Sequence, residues 1–228
     1  MDKNENLSPV SKAHFAKVFL FDMDGTLVDS TAIIERVWTD FANKFNLDVN
    51  NVLAMTHGVR AFETIKHFAP DGIDIALETA ELTQQEIMDV AGIKEIAGSR
   101  ALLQALPCER WAIVTSASRE LAIRRLIAVG LPIPEILITA EDVQNGKPAP
   151  DGYLMAAKLL QVSIEECVVF EDSVAGLKSA NSAGMRAIAI GEHIHDTNIN
   201  HEQWILNYNK FQIEVPQIGT DDIKFWIA

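Results

Sequence analysis

Apolar residues are distributed along the chain in two patterns. Five short, nearly continuous apolar runs are typical of strands buried on both faces of a parallel sheet, and they occupy residues 17–24, 111–116, 135–139, 167–172 and 186–191. Helical patterns lie between the later runs, at residues 119–129, 151–160 and 174–183. This alternation predicts an α/β fold in which a Rossmann-like parallel sheet carries helices on both faces. A later run at residues 211–215 predicts an additional edge strand.

A long excursion, residues 25–110, separates the first two predicted strands and exceeds what one crossover needs. Its first helix shows an amphipathic stripe formed by Ile34, Val37, Trp38, Phe41, Ala42 and Phe45. Further helical stretches follow at residues 61–68 and near 74–91. An all-helical insertion of this size is expected to bury its own stripes and to form a small cap.

The predicted cap covers residues 30–97, inserted after the first strand of a core made of residues 1–29 and 98–228. The expected hinges lie near Asp29-Ser30 and Ala97-Gly98. Acidic residues are frequent in the second half of the cap, and we interpret them as a solvated face. They are Asp71, Asp74, Glu78, Glu81, Glu86, Asp89 and Glu95.

Composition limits the class of protein. Hydrophobic residues make up 48% of the 228, enough to fill a sizeable core. No apolar run approaches the roughly 18 residues of a membrane span, and the polar first sixteen residues resemble a loose lead-in rather than a signal peptide. We therefore expect a cytoplasmic protein without a membrane partner. We also expect a monomer. Cys108 and Cys167 are predicted to be two buried thiols.

The net charge of −13 argues against nucleic acid as a partner, because no basic stripe accompanies the 19 basic and 32 acidic residues. The acidic surface of the protein is also not expected to attract an anionic substrate over long distances. If the substrate is anionic, cations inside the site must capture it.

Polar residues follow the predicted strands at the edge of the sheet where ligands bind in open α/β folds. These segments are residues 22–26 after the first strand, 115–118 after the second and 171–173 after the fourth, joined by residues 146–148 before a helix. Acids, hydroxyls and one lysine thus converge on one edge. The combination predicts a site for a divalent cation and a phosphate.

Four motifs give a resemblance to a known family: DMDGTLVDS, IVTSAS, GKPAPDGY and VVFEDSVAG. Together they span roughly residues 17–191 and resemble the haloacid dehalogenase superfamily. The stretch Thr56-His57-Gly58-Val59-Arg60 is similar to its sugar-phosphate and glycerol-3-phosphate phosphatases, in the β-phosphoglucomutase-like subgroup. The resemblance implies a magnesium-dependent phosphatase that hydrolyses small phosphate monoesters through an aspartyl-phosphate intermediate.

Two acids would carry the chemistry. Asp22 is the expected nucleophile, because a carboxylate that accepts the phosphoryl group splits one difficult step into two. Asp24 is the expected general acid, which protonates the departing alkoxide and then activates water. Alternate residues of a strand point to the same face, so the one-residue spacing brings the two acids together. The alternative is that Asp22 serves only as a metal ligand.

The expected magnesium ligands are the side chain of Asp22, the backbone carbonyl of Asp24 and the carboxylate of Asp172. Glu171 is expected either as a further ligand or as an acceptor behind the ligands. Lys147 and the metal would neutralise the developing phosphoryl charge.

Hydroxyl and amide groups would complete the phosphate site. The Ser116 hydroxyl and the backbone amides of Ala117, Gly25 and Thr26 are expected to donate to phosphate oxygens. A simple helix N-cap is the alternative for Ser116.

The sequence does not decide between two roles for two residues of the cap. His57 and Arg60 either face the substrate or brace the cap. The cap would act as a single helical lid, which favours small soluble phosphate esters as substrates.

Three other classes compete with a phosphatase. A dehalogenase has no need of Asp24 or Asp172, which disfavours it. A phosphosugar mutase of the β-phosphoglucomutase type would use the same acids but keep water from the intermediate. A non-catalytic binding protein on the same fold would not need every reacting group to be intact.

Overall fold

The computed structural model describes residues 13–192, 194, 198–216 and 221–227. The strands are β1 (His14–Ala16), β2 (Val18–Phe21), β3 (Val28–Asp29), β4 (Lys94–Glu95), β5 (Trp111–Val114), β6 (Leu137–Ile138), β7 (Cys167–Glu171), β8 (Arg186–Ile190), β9 (Gln203–Ile205), β10 (Phe211–Glu214) and β11 (Ile223–Ile227). The α-helices are α1 (Thr31–Lys44), α2 (Val49–Thr56), α3 (Ala61–Phe68), α4 (Ile75–Met88), α5 (Ser99–Ala105), α6 (Arg119–Val129), α7 (Asp151–Leu159) and α8 (Val174–Ser182).

Six parallel strands form the central sheet in the order β6-β5-β2-β7-β8-β9. Consecutive side chains of β2 point to opposite faces, as the period of a strand requires. Phe19 and Phe21 pack on the side that carries α5 and α6, whereas Val18 and Leu20 pack on the side that carries α7 and α8. Both faces are therefore buried, which explains the nearly continuous apolar runs and confirms the predicted α/β class.

The end of the chain departs from the prediction. Residues 211–214 do form a strand, but β10 pairs with β11 in a separate antiparallel sheet whose order is β1-β11-β10. The edge of the main sheet is taken instead by β9, which is parallel to β8. The reason is aromatic packing: Phe211 and Phe225 lie against Phe19, with ring centroids 6.0 Å and 5.5 Å away.

The predicted loose lead-in is wrong for His14–Ala16, because these residues pair with β11. Residues 1–12 lie outside the described residues. Within the described part of the chain, no helix combines the length and the apolarity that a membrane span requires.

Helices α1 to α4 enclose a core of their own. Its members include Ile33, Val37, Trp38, Phe41, Ala42, Val52, Ile65 and Leu82. The chain enters this helical region through β3 and leaves it through β4, and these two short strands pair with each other. The division into a cap at residues 30–97 and a core stays a prediction.

Two predictions about burial are wrong. Glu78 and Glu86 are only 9% and 6% exposed, so the acidic stretch of the helical region is not uniformly a solvated face. Helix α4 packs its own acids inward, where Lys44 pairs with Glu78. Cys108 is exposed because it starts a short 3₁₀ turn before β5, whereas Cys167 is buried within β7 as expected.

Candidate active site

Lys147 joins two carboxylates at the carboxyl edge of the central sheet. Its Nζ donates to Asp22 Oδ1 over 2.6 Å and to Glu171 Oε1 over 2.5 Å. Asp22 directly follows β2, and Glu171 ends the neighbouring strand β7. All three side chains are at most 5% exposed. The Tyr153 hydroxyl and the Ser173 hydroxyl also donate to Glu171, at 2.5 Å and 3.2 Å.

Burial sets the charge of this cluster. It raises the pKa of Asp22 to about 7, although the ammonium group of Lys147 opposes the rise. Burial lowers the pKa of Lys147, but the carboxylates of Asp22 and Glu171 outweigh that effect and raise it above its ordinary value. The lysine therefore stays charged, and it is the cation in contact with Asp22.

Asp172 completes an acidic group with Asp22 and Glu171. One carboxylate oxygen of each lies within 4.8 Å of the others. Burial raises the pKa of Asp172, and the charges of Asp22 and Glu171 raise it further. Its Oδ1 is buried and has no hydrogen-bond partner among the described residues. Gly25 lies against this carboxylate with φ of +81°, and a Cβ there would be 1.9 Å from Asp172 Oδ2. The close approach explains why position 25 needs glycine.

Asp24 is held by two side chains. Ser30 Oγ donates to Asp24 Oδ1 over 2.7 Å, and Arg125 Nη1 lies 2.8 Å from the same oxygen. The second terminal nitrogen of Arg125, Nη2, lies 3.3 Å from Glu86 Oε1. Arg125 is on α6 and Glu86 is on α4, so this ionic group crosses from the helical region to the sheet core.

The predicted amide donors already have partners. The amide of Gly25 donates to the Val28 carbonyl over 2.8 Å, and the amide of Thr26 donates to the Met23 carbonyl over 3.3 Å. The amide of Ala117 donates to the Thr115 hydroxyl over 3.1 Å. Binding of phosphate by these three amides would require these contacts to change.

Ser116 and Arg60 both form contacts between the helical region and the sheet core. Ser116 Oγ donates to the Gly58 carbonyl over 2.8 Å. Arg60 donates to the carbonyls of Val143 and Gln144, at 2.8 Å and 3.1 Å. These contacts correspond to the bracing role of Arg60, whereas the exposed His57 lines the site cavity.

A cavity of about 90 Å³ lies between the sheet edge and the helical region. Its lining includes Asp22, Asp24 and Ser116 together with Glu86 and Arg125. The predicted reacting groups and the ionic group therefore face one space.

The model of the haloacid dehalogenase-like hydrolase family matches residues 16–184. The chain belongs to this family. It is 42% identical over 211 residues to hexitol phosphatase A of Escherichia coli strain K12, a match that covers 91% of the chain and 97% of that relative. It is 34% identical to glycerol-1-phosphate phosphohydrolase 2 of Saccharomyces cerevisiae, over 90% of the chain and 88% of the relative.

A solved hydrolase from Pseudomonas syringae has the same architecture, with a TM-score of 0.74 and 26% identity. The alignment covers 84% of this chain and 94% of that one. These matches confirm the predicted haloacid dehalogenase family, its phosphatase branch and the fold.

Sequence reasoning missed Arg125 and Glu86 in this haloacid dehalogenase-like hydrolase. A signal for Arg125 was available, because it lies on the buried stripe of α6 between Leu121 and Val129, four residues from each. Glu86 likewise lies four residues after the buried Leu82 on α4. A charged residue on an apolar stripe indicates a buried ionic contact or a site.

Proposed function

We propose that the protein is a magnesium-dependent phosphatase that hydrolyses phosphate monoesters of sugars or polyols through an aspartyl-phosphate intermediate. The observation that supports this most strongly is the buried contact of Lys147 with Asp22 beside Asp172. The names of the relatives support the substrate class: one is a hexitol phosphatase and another a glycerol-1-phosphate phosphohydrolase.

Asp22 acts as the nucleophile in this proposal. Its carboxylate must be ionised to attack phosphorus, and the neighbouring Lys147 ammonium favours the ionised form. When a phosphate ester enters, the same ammonium stabilises the negative charge on the phosphoryl oxygens. Glu171 holds Lys147 in place, and its oxygens also accept from Tyr153 and Ser173.

Asp24 transfers the proton in both halves of the reaction. It protonates the oxygen of the leaving alcohol and later takes a proton from the water that attacks the aspartyl-phosphate. Ser30 and Arg125 fix its Oδ1 and so orient the carboxylate.

The oxygens of Asp22 and Asp172 fit a hard divalent cation. The unpartnered, buried Asp172 Oδ1 is the kind of atom such a cation would satisfy, and all-oxygen sites with few carboxylates suit Mg²⁺. We assign the metal to the side chains of Asp22 and Asp172 and the backbone carbonyl of Asp24, with Glu171 beside them. The bound ion would neutralise charge on the transferring phosphoryl group.

Helices α1 to α4 act as a lid over the site in this proposal, since they form the far side of the cavity. Ser116 and Gly58 both line the cavity, and the hydrogen bond between them joins its two sides. His57 is proposed to face the substrate, and Ser116 to bind phosphate once that contact opens. The cytoplasmic location and the monomeric state stay predictions.

The test is phosphate release by the purified chain from hexitol phosphates and glycerol phosphate, with Mg²⁺ and with a chelator. We expect release that depends on Mg²⁺ and is lost in Asp22→Asn. Conversion of a sugar 1-phosphate to its 6-phosphate without phosphate release would establish a mutase instead. Absence of both reactions would favour a binding protein.

A further inference from the structure

The ionic group formed by Asp24, Arg125 and Glu86 in the lining of the cavity is incompletely satisfied. The Arg125 side chain is 3% exposed and the Glu86 side chain 7% exposed. Nε and Nη2 of Arg125 have no hydrogen-bond partner among the described residues, although Nη2 lies 3.3 Å from Glu86 Oε1. A buried charged group normally has its hydrogen bonds made, because an unsatisfied donor loses its hydration without compensation.

The place of this group in the cavity indicates what could satisfy it. Arg125, Glu86 and Thr83 line the same cavity as Asp22 and Ser116, and Arg125 directly contacts Asp24, the proposed general acid. Thr83 and Glu86 are three residues apart on α4 and so share one face of the helix. The general acid protonates the oxygen of the alcohol, so the groups that lie beside Asp24 would contact the alcohol half of the ester.

We propose that Glu86 and Arg125 are specificity residues that bind a hydroxyl of the alcohol half of the substrate and select neutral polyhydroxy alcohols. The inference rests on the proposed phosphatase function. A hydroxyl can accept from Arg125 Nη2 and donate to a Glu86 carboxylate oxygen, since it carries both a donor and acceptors. An alkyl chain offers neither and would leave the open donors of Arg125 unsatisfied.

Charge selects against acidic alcohols. The Arg125 guanidinium already faces two carboxylates, Asp24 at 2.8 Å and Glu86 at 3.3 Å. A third carboxylate, carried by the substrate, would meet a net negative charge in a buried space, where like charges repel strongly. The expected substrates are therefore phosphates of neutral polyols and not of sugar acids.

The test compares glycerol phosphate with n-propyl phosphate, because both release an alkoxide and differ in two hydroxyls. We expect the wild type to favour glycerol phosphate in kcat/KM. The variant Glu86→Met should reduce that preference by about 10- to 100-fold, the range for one hydrogen bond to a charged group. Its turnover of propyl phosphate should fall less than its turnover of glycerol phosphate, because propyl phosphate has no hydroxyl to bind at Glu86.

Glu78→Met is the matched control. Glu78 is on the same helix and is also buried, but it pairs with Lys44 and does not line the cavity. This variant should keep the wild-type preference. Inhibition by inorganic phosphate should be the same in both variants, which shows that the fold and the phosphate end are intact.

A second variant separates hydrogen bonding from charge. Glu86→Gln keeps an acceptor and should retain part of the hydroxyl preference, but it should accept 3-phosphoglycerate at least about tenfold better than wild type does. An equal loss of turnover for glycerol phosphate and n-propyl phosphate in Glu86→Met would overturn the inference. A wild type that prefers 3-phosphoglycerate to glycerol phosphate would also overturn it. Turnover of neither ester would overturn the proposed function and the inference together; turnover without hydroxyl preference would overturn the inference alone.

Discussion

Replacement of Lys147 by methionine would remove the cation that two buried carboxylates share. Methionine keeps most of the side-chain volume, so the change is chiefly one of charge. At an effective dielectric constant of about 20, the contacts of 2.6 Å to Asp22 and 2.5 Å to Glu171 correspond to gross Coulomb energies of about 6 kcal/mol each. The desolvation of all three groups offsets much of this attraction.

The net loss expected for Lys147→Met is about 3–5 kcal/mol in the free energy of unfolding, the usual result when one partner of a buried pair is removed. The carboxylates can relieve part of the loss by binding protons. Because the folded state then binds more protons than the unfolded state, the deficit should grow as the pH rises above neutrality. Urea denaturation at pH 6 and pH 9 would measure it.

Activity and metal binding give two further readouts of the same variant. Loss of one phosphate-binding charge should lower kcat/KM by about 10²- to 10³-fold. The affinity for Mg²⁺ should rise, because the carboxylates around the metal would lose a competing cation. Lys44→Met is the control: Lys44 is half-exposed in its pair with Glu78, and its loss should change stability by at most about 1 kcal/mol. Unchanged kcat/KM together with unchanged Mg²⁺ affinity in Lys147→Met would refute the assignment of Lys147 to the site.

Three further predictions concern individual residues. Asp24→Asn should retain Mg²⁺ binding. It should slow the hydrolysis of sugar phosphates far more than the burst of phenolate from p-nitrophenyl phosphate, because phenolate leaves without protonation. Equal slowing of both reactions in rapid-quench experiments would exclude the acid–base role. Gly25→Ala should lower Mg²⁺ affinity by at least about tenfold in calorimetry, because its Cβ would collide with Asp172; wild-type affinity would contradict that geometry. Burial raises the pKa of Cys167 to about 12, so a thiol reagent at pH 8 should modify one thiol per folded chain, at Cys108, and two after denaturation; early modification of Cys167 would contradict its burial.

Most strands of the central sheet, and the polar residues at its carboxyl edge, could be predicted from the sequence. Helices at residues 119–129 and 61–68 have the predicted bounds: Ser118 caps the start of the first and Gly130 ends it, and the second stops at Ala69 before Pro70. The carboxyl ends of β2 and β7 bring Asp22 and Glu171 to Lys147, as expected from parallel strands that share one edge.

The rest depended on contacts between distant segments. The pairing of β10 with β11 and β1 is determined by aromatic packing against Phe19, and a short apolar run does not reveal which sheet it joins. Glu86 and Arg125 are 39 positions apart, and only the packing of α4 on α6 makes them partners. The internal partners of the Gly25 and Thr26 amides likewise follow from the turn that closes after β2.

The central claim is that Asp22 carries the phosphoryl group, and trapping the intermediate tests it most directly. Asp24→Asn protein would be mixed with Mg²⁺ and p-nitrophenyl phosphate labelled in its phosphate, whose phenolate leaves without protonation, and quenched in acid within milliseconds. One sample would be digested with trypsin directly, and a second would first be reduced with borohydride. Cleavage after Lys17 and Arg36 places both remaining acids of the first motif, Asp22 and Asp29, in the peptide 18–36. We expect label in that peptide before reduction, and homoserine at position 22 after it. Homoserine at position 29, or phosphate release without any labelled peptide, would contradict the assignment of Asp22 as the nucleophile.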